Sequence, residues 1–157
     1  MELIFDRKDA DLLRFLELRN KGYANMTEEE RSEWNAGNMK GAYNISDLNR
    51  VGEALNYVRD RLTLAGYLMP NVFTAKADWK LTDVPTGVQI AQNISYLAIL
   101  RAAFTLYATT PPVPAYAGAL NLEEANNIEK ILFDLDELIT KMLAARHFCG
   151  EIYSGEV

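Results

Sequence analysis

Residues 41–62 read GAYNISDLNRVGEALNYVRDRL, and this stretch decides the fold class. A polar turn leads into apolar residues that recur at alternating spacings of three and four, which is typical of a helix with one buried face. Ser46 is the predicted N-cap, because its hydroxyl can accept a hydrogen bond from a free backbone N–H of the first turn. The helix is predicted to end near Ala65. Its apolar face consists of Leu48, Val51, Leu55, Val58 and Leu62.

Two shorter helices precede this one. The first is predicted from about Asp6 to Lys21. The second opens at Thr27 with a capping box, in which Thr27 accepts from the backbone of Glu30 and Glu30 reaches back to the backbone of Thr27. This second helix includes Trp34 and stops by Gly37.

Two long helices follow. One begins at Pro85 or Thr86, runs to about Tyr107 and is apolar almost all round, which favours a central position or burial against a second copy. The other begins after its N-cap Asn121, ends near Ala145 and carries a second heptad seam. That seam consists of Ala125, Ile128, Leu132, Leu135, Ile139 and Met142. The same spacing fits an intermolecular coiled coil, and we favour a core within one chain.

The segments between and after the long helices are predicted to be non-helical. Residues 68–85 contain Pro70 and Val72, and we expect an irregular or weakly extended crossover with at most one short strand. Residues 109–114 contain three prolines, which force an extended connection. Residues 147–157 are predicted to form an extended C-terminal tail.

These elements predict a mainly α-helical fold in a single domain, residues 1–157. Three long helices are expected to form an antiparallel helical bundle, because short to medium connections join antiparallel neighbours. The two shorter N-terminal helices occupy residues 1–40, the bundle with its crossover occupies residues 41–146, and the tail occupies residues 147–157.

Composition and charge limit the classes of function. The chain has 157 residues, of which 16 are basic and 22 acidic, and its net charge of −6 disfavours binding to a nucleic acid. Met1–Phe5 lacks the features of a signal peptide, and the apolar run from Ile94 to Ala108 is too short to span a bilayer. We therefore expect synthesis in the cytoplasm and no membrane insertion.

Residues that carry catalysis or bind metals are sparse. Cys149 is the single cysteine and His147 the single histidine, so we expect no internal disulfide, no cysteine-rich zinc site and no Cys–His nucleophile. Glu28–Glu30 is interpreted as the acidic start of a helix, and Asp134 and Glu137 as exposed residues. A pair of catalytic carboxylates drawn from distant positions stays open. We predict a protein without enzymatic activity, cofactor or metal.

The segment of residues 41–55 and two later segments together resemble a family of small virion structural proteins of tailed phages and prophages of Gram-positive bacteria. The later segments are EANNIEKIL at residues 124–132 and GEIYSGE at residues 150–156. In that family the unit stands alone or is appended to larger tail and fibre proteins. The resemblance implies a non-enzymatic minor component of the tail or fibre, and it assigns no catalytic residue.

We therefore expect a structural protein of the virion, made in the cytoplasm of a bacterial host, that assembles in multiple copies in the tail, baseplate or fibre region. Its expected partners are further copies of itself and other phage tail or fibre proteins. The predicted interface residues are Ile90, Ile94, Leu97, Phe104 and Tyr107 of the apolar helix and Phe148, Ile152 and Tyr153 of the tail. An assembly chaperone that is absent from the mature particle is an alternative.

Polar residues of the resembling segments have two interpretations. Buried polar groups require partners, so these residues are predicted to form a structural network that fixes the loops on the bundle. The predicted network consists of Asn44, Asp47, Asn49, Arg50 and Asn126. A binding site is the alternative that we favour less.

Aromatic residues keep a further alternative open, a module at the particle tip that binds a receptor or a cell-surface glycan. Trp34, Trp79, Tyr43 and Tyr96 can line a sugar-binding surface, since aromatic faces stack on pyranose rings. Such residues are more often core or interface anchors. Exposure of Trp34, Trp79 and Tyr43 together would favour receptor binding, and their burial would oppose it.

Overall fold

The computed structural model describes residues 2–67, 73–116 and 118–150, with side chains as far as residue 145. In these residues the fold is mainly helical and contains no strand, which confirms the predicted fold class. The α-helices are α1 (Asp9–Lys21), α2 (Glu28–Asn35), α3 (Ile45–Leu64), α4 (Gly87–Ala102) and α5 (Leu122–Gly150). A short 3-10 helix, Tyr23–Asn25, lies between α1 and α2.

The hydrophobic core lies where α3, α4 and α5 pack against one another. Both predicted heptad seams face this core, as the spacing of their apolar residues predicts. The buried seam residues of the core are Val51, Leu55, Val58 and Leu62 of α3 and Ile128, Leu132, Leu135 and Ile139 of α5. Each such side chain contributes about 1.5–3 kcal/mol by leaving water, so burial of the two seams stabilises the fold.

The long helices α3 and α5 run in the same direction, whereas the sequence predicts antiparallel neighbours. Near the beginning of α3, Arg50 Nη2 donates to Glu129 Oε1 over 2.8 Å. Just beyond the end of α3, the Tyr67 hydroxyl donates to Met142 Sδ over 3.2 Å. Residue numbers therefore increase together along the two helices, and the antiparallel prediction is wrong for this pair.

Helix α4 has the same direction as α3. Arg59, in the second half of α3, lies over the ring of Phe73, and this ring stacks on Tyr96 of α4 with a centroid distance of 4.2 Å. Further along, Tyr67 follows the end of α3 and Phe104 follows the end of α4, and their ring centroids are 4.8 Å apart. The C-terminal ends of α3 and α4 therefore meet, as they do in a parallel pair.

Long connections allow this parallel arrangement. A helix as long as α3 spans about 30 Å, a distance that roughly ten extended residues can retrace. The connections of residues 65–86 and 103–121 both exceed that length. Connections of this length remove the need for antiparallel neighbours, which is the assumption behind the wrong prediction.

The first connection retraces α3 from its end toward its beginning. Ala75 of the connection lies beside Asn56 of α3, and Trp79 lies beside Asn49, so the chain runs backwards along the helix. Residues 73–85 are irregular, as predicted, and they contain no strand. Residues 68–72 of the predicted crossover lie outside the described ranges.

Helix α3 begins at Ile45 rather than after Ser46, because Asn44 is its N-cap. The Asn44 side-chain oxygen accepts from the backbone N–H of Ser46 at 3.0 Å and from that of Asp47 at 3.3 Å. In return, Asp47 Oδ2 accepts from the backbone N–H of Asn44 at 2.9 Å. This reciprocal capping box satisfies N–H groups that have no partner inside the helix.

Two other helices are shorter than predicted. Helix α1 begins at Asp9 rather than Asp6, because the backbone of the preceding segment is hydrogen-bonded to α5 and cannot also form a helical turn. Helix α4 ends at Ala102 rather than near Tyr107, and the chain leaves the helix there to enter the second connection.

Helix α5 continues to Gly150, beyond its predicted end at Ala145. Residues 147–150 are therefore helical, and the predicted extended tail does not begin at residue 147. The alanines and leucine before this point are good helix formers and no proline interrupts them, so the helix has no local reason to stop. Residues 151–157 of the predicted tail lie outside the described ranges.

Candidate functional site

Two arginines and two acids meet between α3, α5 and the segment that precedes α1. Arg7 Nη2 contacts Asp47 Oδ1 at 2.9 Å and Glu129 Oε1 at 2.6 Å. Arg50 binds Glu129 through two hydrogen bonds of 2.8 Å, from Nε and Nη2, and it also contacts Asp47. The side chains of Arg7, Asp47 and Glu129 are at most 4% exposed, so almost no water reaches them. We call these four residues the buried charged cluster.

The N-terminal segment, residues 2–8, delivers Arg7 to this cluster. The backbone N–H of Ile4 donates to Glu129 Oε2 at 2.6 Å. Arg7 N donates to Asn126 Oδ1 at 3.1 Å, and Asn126 Nδ2 donates to Arg7 O at 3.0 Å. Because both the backbone and the side chain of this segment bind α5, the Arg7 guanidinium is placed in the interior.

The buried charged cluster is neutral when all four groups are ionised, and its acids have no free acceptor atom. Asp47 Oδ2 caps α3, while Asp47 Oδ1 and both oxygens of Glu129 accept from guanidinium or backbone groups. Desolvation by itself lowers the pKa of Arg50, but the hydrogen bonds and charges of Glu129 and Asp47 outweigh it and raise this pKa above its ordinary value. Such carboxylates hold elements together and are poorly placed to exchange a proton with a substrate.

Side-chain amides bind the backbone of neighbouring non-helical segments at three places, which we call the asparagine clamps. Asn49 accepts from Trp79 N at 2.7 Å and donates to Trp79 O at 3.0 Å. Asn56, about two turns later in α3, accepts from Ala75 N at 2.9 Å and donates to Ala75 O at 2.8 Å. Asn126 of α5 is the third clamp. Each amide supplies the donor and the acceptor that a neighbouring strand would supply in a sheet.

An asparagine clamp is sensitive to loss of its donor. Asn49→Asp keeps an acceptor for Trp79 N but places a carboxylate against the Trp79 carbonyl oxygen. We expect the free energy of unfolding to fall by about 1–3 kcal/mol, the cost of leaving a partly buried group without its hydrogen bond. Urea denaturation followed by circular dichroism measures this change. The same substitution at the exposed Asn20 of α1 is the control, and an equal effect at both positions would contradict the clamp.

The residues of the predicted polar network have different roles. Asn44 caps α3, and Asn49 clamps the first connection. Asp47 and Arg50 belong to the buried charged cluster, and Asn126 anchors the segment that delivers Arg7 to it. The structure therefore gives all five a hydrogen-bond partner within the fold, and it joins three of them around one point.

Sequence reasoning missed Arg7, Glu129 and Asn56. Glu129 carried a usable signal, because it lies four residues after Ala125 and three before Leu132 and so shares their face of α5. Arg7 carried none, since it lies in a run of charged residues that is typical of an exposed surface. Its burial follows from a partner more than a hundred positions away.

Of the five interface residues predicted between Ile90 and Tyr107, two are buried and three are half-buried. Ile94 and Leu97 are 8% and 0% exposed and belong to the core, so their predicted contact with a partner is wrong for this arrangement. Ile90, Phe104 and Tyr107 are half-buried. The side chain of Phe148, and Ile152 and Tyr153 entirely, lie outside the described part of the chain.

The aromatic residues that suggest a sugar-binding surface are engaged in packing. Trp79 is buried, and its ring N–H donates to Lys76 O at 3.2 Å. Trp34 is half-buried and stacks on Phe15 with a centroid distance of 5.7 Å. Tyr43 is half-buried, and desolvation raises the pKa of its phenol. These side chains present no shared exposed face, so the observation that would favour receptor binding is missing.

Asp134 is buried, although the sequence predicts an exposed position. Its side chain is 1% exposed, accepts from Thr110 Oγ1 at 2.6 Å and contacts Lys130. The returning second connection brings Thr110 to α5, and this contact could not be foreseen from α5 alone. Asp134 therefore anchors the second connection to α5, much as Asn49 and Asn56 anchor the first connection to α3.

Three aliphatic side chains around the start of α4 point into solvent. Leu81 is 93% exposed, Val84 83% and Val88 77%, and we call them the aliphatic patch. The backbone beneath them is held by the cap of α4, where Thr86 N donates to Gln89 Oε1 at 2.9 Å. Exposed apolar side chains mark a surface that contacts another protein where they form a contiguous patch.

Comparison of the chain with family models, with curated proteins and with solved structures finds no match.

Two kinds of site are not found in the part of the chain that the structure describes. Among the described side chains, no three His, Cys, Asp or Glu residues lie close enough together to bind a metal ion. None of the helices described is both long enough and apolar enough to cross a lipid bilayer. Among the described residues, the buried charged cluster and the asparagine clamps are engaged within the fold, whereas the side chains of the aliphatic patch are exposed.

Proposed function

We propose that this chain is a non-enzymatic structural protein of a phage or prophage particle, present in several copies in the tail, baseplate or fibre region. The proposal rests on the resemblance of three sequence segments to a family of virion structural proteins. It is supported by the use of the polar residues in those segments, which bind other parts of the fold. Its partners are further copies of this chain and other tail or fibre proteins.

The aliphatic patch is the structural observation that supports assembly in several copies. Leu81, Val84 and Val88 leave most of their apolar surface in water, although each would contribute about 1.5–3 kcal/mol if a partner covered it. A soluble protein with a well-filled core gains nothing from such exposure by itself. Burial in an assembled particle accounts for it.

The exposed face of α4 extends this surface. Beyond Val88 it presents Ala91, Ser95, Ala98 and Ala102, at alternating spacings of three and four, and all four are exposed. Small side chains let a second helix approach closely. We therefore place the contact on the outward face of α4, opposite the predicted residues Ile94 and Leu97, which face the core.

The decisive experiment is a count of this chain in purified particles. Induced particles are separated from free protein by gradient sedimentation, and the chain is quantified by mass spectrometry against a tail ring protein of known copy number. A fixed ratio to the ring protein supports a structural role, and the ratio gives the symmetry. Abundance in the lysate together with absence from particles would show an assembly chaperone instead and would overturn the proposal.

The aliphatic patch predicts a specific assembly defect. The double variant Leu81→Asp and Val84→Asp is expected to reduce incorporation into particles about tenfold or more, because two apolar contacts are lost and two charges are added. Its thermal unfolding should match the wild type, since both residues are exposed.

The control for this variant is Leu13→Asp, which adds a charge at an exposed leucine of α1, away from the patch. Leu13→Asp should incorporate normally. Equal incorporation of the patch variant and the control would exclude the patch as an assembly surface.

A further inference from the structure

Helix α4 differs from the other α-helices in the charge of its surface. Its single charged residue, Arg101, is half-buried and donates from Nε to Pro111 O at 3.3 Å. Each of the other α-helices exposes at least one charged residue, such as Glu53 of α3 or Glu123 of α5. The outward face of α4 is therefore uncharged. Its exposed residues are Val88, Ala91, Gln92, Ser95, Ala98 and Ala102.

Larger aliphatic side chains belong to the same uncharged surface. Leu81 and Val84 precede α4 and Val88 lies in its first turn, and all three are mostly exposed. Ile99 is half-buried and lies on the same side of the helix as Val88, because the positions between them complete about three turns. The cores of protein interfaces are likewise depleted of charged residues.

The outward face of α4 is complementary to a second copy of itself in the size of its side chains. If two copies pack antiparallel around a two-fold axis at Ser95, residues equally far before and after Ser95 lie at the same level. The resulting neighbours are Val88 with Ala102, Ile99 with Ala91, and Gln92 with Ala98. Each larger side chain then lies beside an alanine, which lets the two faces interdigitate. A parallel pair would set Val88 beside Val88 and leave gaps beside the alanines.

We propose that the aliphatic patch and the outward face of α4 bind a second copy of this chain, with the two α4 helices antiparallel around Ser95. The two-fold axis uses the same surface on both copies. Leu81 and Val84 extend the contact beyond the end of the second copy's α4. For its role in a particle this pair rests on the proposed function, since it names the partner that covers the surface assigned to assembly.

Charge favours this surface for contact between two copies. The chain has a net charge of −6, so two copies repel each other unless their contact avoids like charges. The outward face of α4 meets that condition, because neither copy brings a charged side chain to it. A partner of another sequence would not require large and small residues to be arranged symmetrically around Ser95.

Sedimentation of the full chain tests the pair. Analytical ultracentrifugation between about 1 and 100 μM is expected to show monomers and dimers with a Kd on the order of 10 μM. Ser95→Glu places two like charges together at the axis and should raise this Kd at least about tenfold. Ser32→Glu is the matched control, because Ser32 is exposed on α2, and it should keep the wild-type Kd. A wild-type Kd for Ser95→Glu would overturn the proposal.

Cross-linking tests the axis without adding charge, in a Cys149→Ser background that removes the natural thiol. Ser95→Cys is expected to form an interchain disulfide on oxidation, since its two copies meet at the axis. Val88→Cys alone should not, because the two Val88 positions lie about 20 Å apart along an antiparallel pair. An equal mixture of Val88→Cys and Ala102→Cys should cross-link. Glu53→Cys, at an exposed position of α3, measures cross-linking by random collision.

The outcomes separate this pair from the proposed function. Cross-linking of Ser95→Cys no greater than that of Glu53→Cys would refute the pair, and efficient cross-linking of Val88→Cys alone would refute its antiparallel direction. A chain that stays monomeric, yet occurs in particles at a fixed ratio to the ring protein, would assign the face to a different tail protein and overturn the pair alone. Dimers that are absent from particles would support the pair and overturn the proposed function.

Discussion

Replacing Glu129 by glutamine is expected to lower the free energy of unfolding by about 3–5 kcal/mol, the cost of removing one charge from a buried ion pair. Glu129 is fully buried and accepts from Arg7, Arg50 and the backbone of Ile4. The amide of glutamine cannot neutralise two guanidinium groups, and its NH₂ group faces donors. Both arginines therefore lose part of the charge that compensates their removal from water.

Urea denaturation with circular dichroism measures this effect, and Glu137→Gln on the same helix is the control. Glu137 forms a surface ion pair with Lys141, and such pairs contribute little. The control should therefore unfold near the wild-type midpoint. If the Glu129→Gln variant and the control unfolded at the same urea concentration, the buried charged cluster would not stabilise the fold.

Gly52→Ala is expected to destabilise the protein by about 2–4 kcal/mol, although alanine is the better helix former. A Cβ atom at Gly52 would lie 2.2 Å from the carbonyl oxygen of Lys76 and 3.1 Å from Ala77 Cα. These are backbone atoms of the first connection, so the connection would have to move away from α3. That movement would strain the clamps of Asn49 and Asn56, which hold it on either side.

The sign of this effect separates two explanations. Helix propensity alone predicts that Gly52→Ala stabilises α3 by about 1 kcal/mol. Glu53→Ala, at the exposed neighbouring position, is the control and should leave stability unchanged or slightly higher. Thermal and urea unfolding of both variants decide the matter, and a more stable Gly52→Ala variant would refute close contact between the connection and α3.

The existence of the helices could be predicted, and their relative direction could not. Apolar spacing predicts which face of α3 and α5 is buried, because burial of Leu55 or Leu132 depends mainly on its own helix. The spacing is the same whichever way the partner helix points, so it carries no information on direction. Direction depends on where the connections run, and the amides of Asn49 and Asn56 hold the first connection along α3.

The candidate site could be predicted only in part, because local sequence pattern does not show contacts between distant segments. Asp47, Arg50 and Asn126 are predicted as structural polar residues because they lie in the segments that carry the family resemblance and because buried polar groups require partners. Arg7 lies in a polar segment, where only its contact with Glu129 explains burial. Local pattern identifies residues that a helix buries, whereas it cannot identify residues that a distant segment covers.

The docking of the N-terminal segment has a consequence for the order of events during synthesis. The hydrogen bond from Ile4 to Glu129 joins residues 125 positions apart. A ribosome adds roughly 5–20 residues per second, so the first residues wait for seconds before their partners exist. During that interval the Arg7 guanidinium stays hydrated and the segment is open to other partners, such as a chaperone or a protease. Closure of the buried charged cluster therefore marks the moment at which α5 has been made and packed.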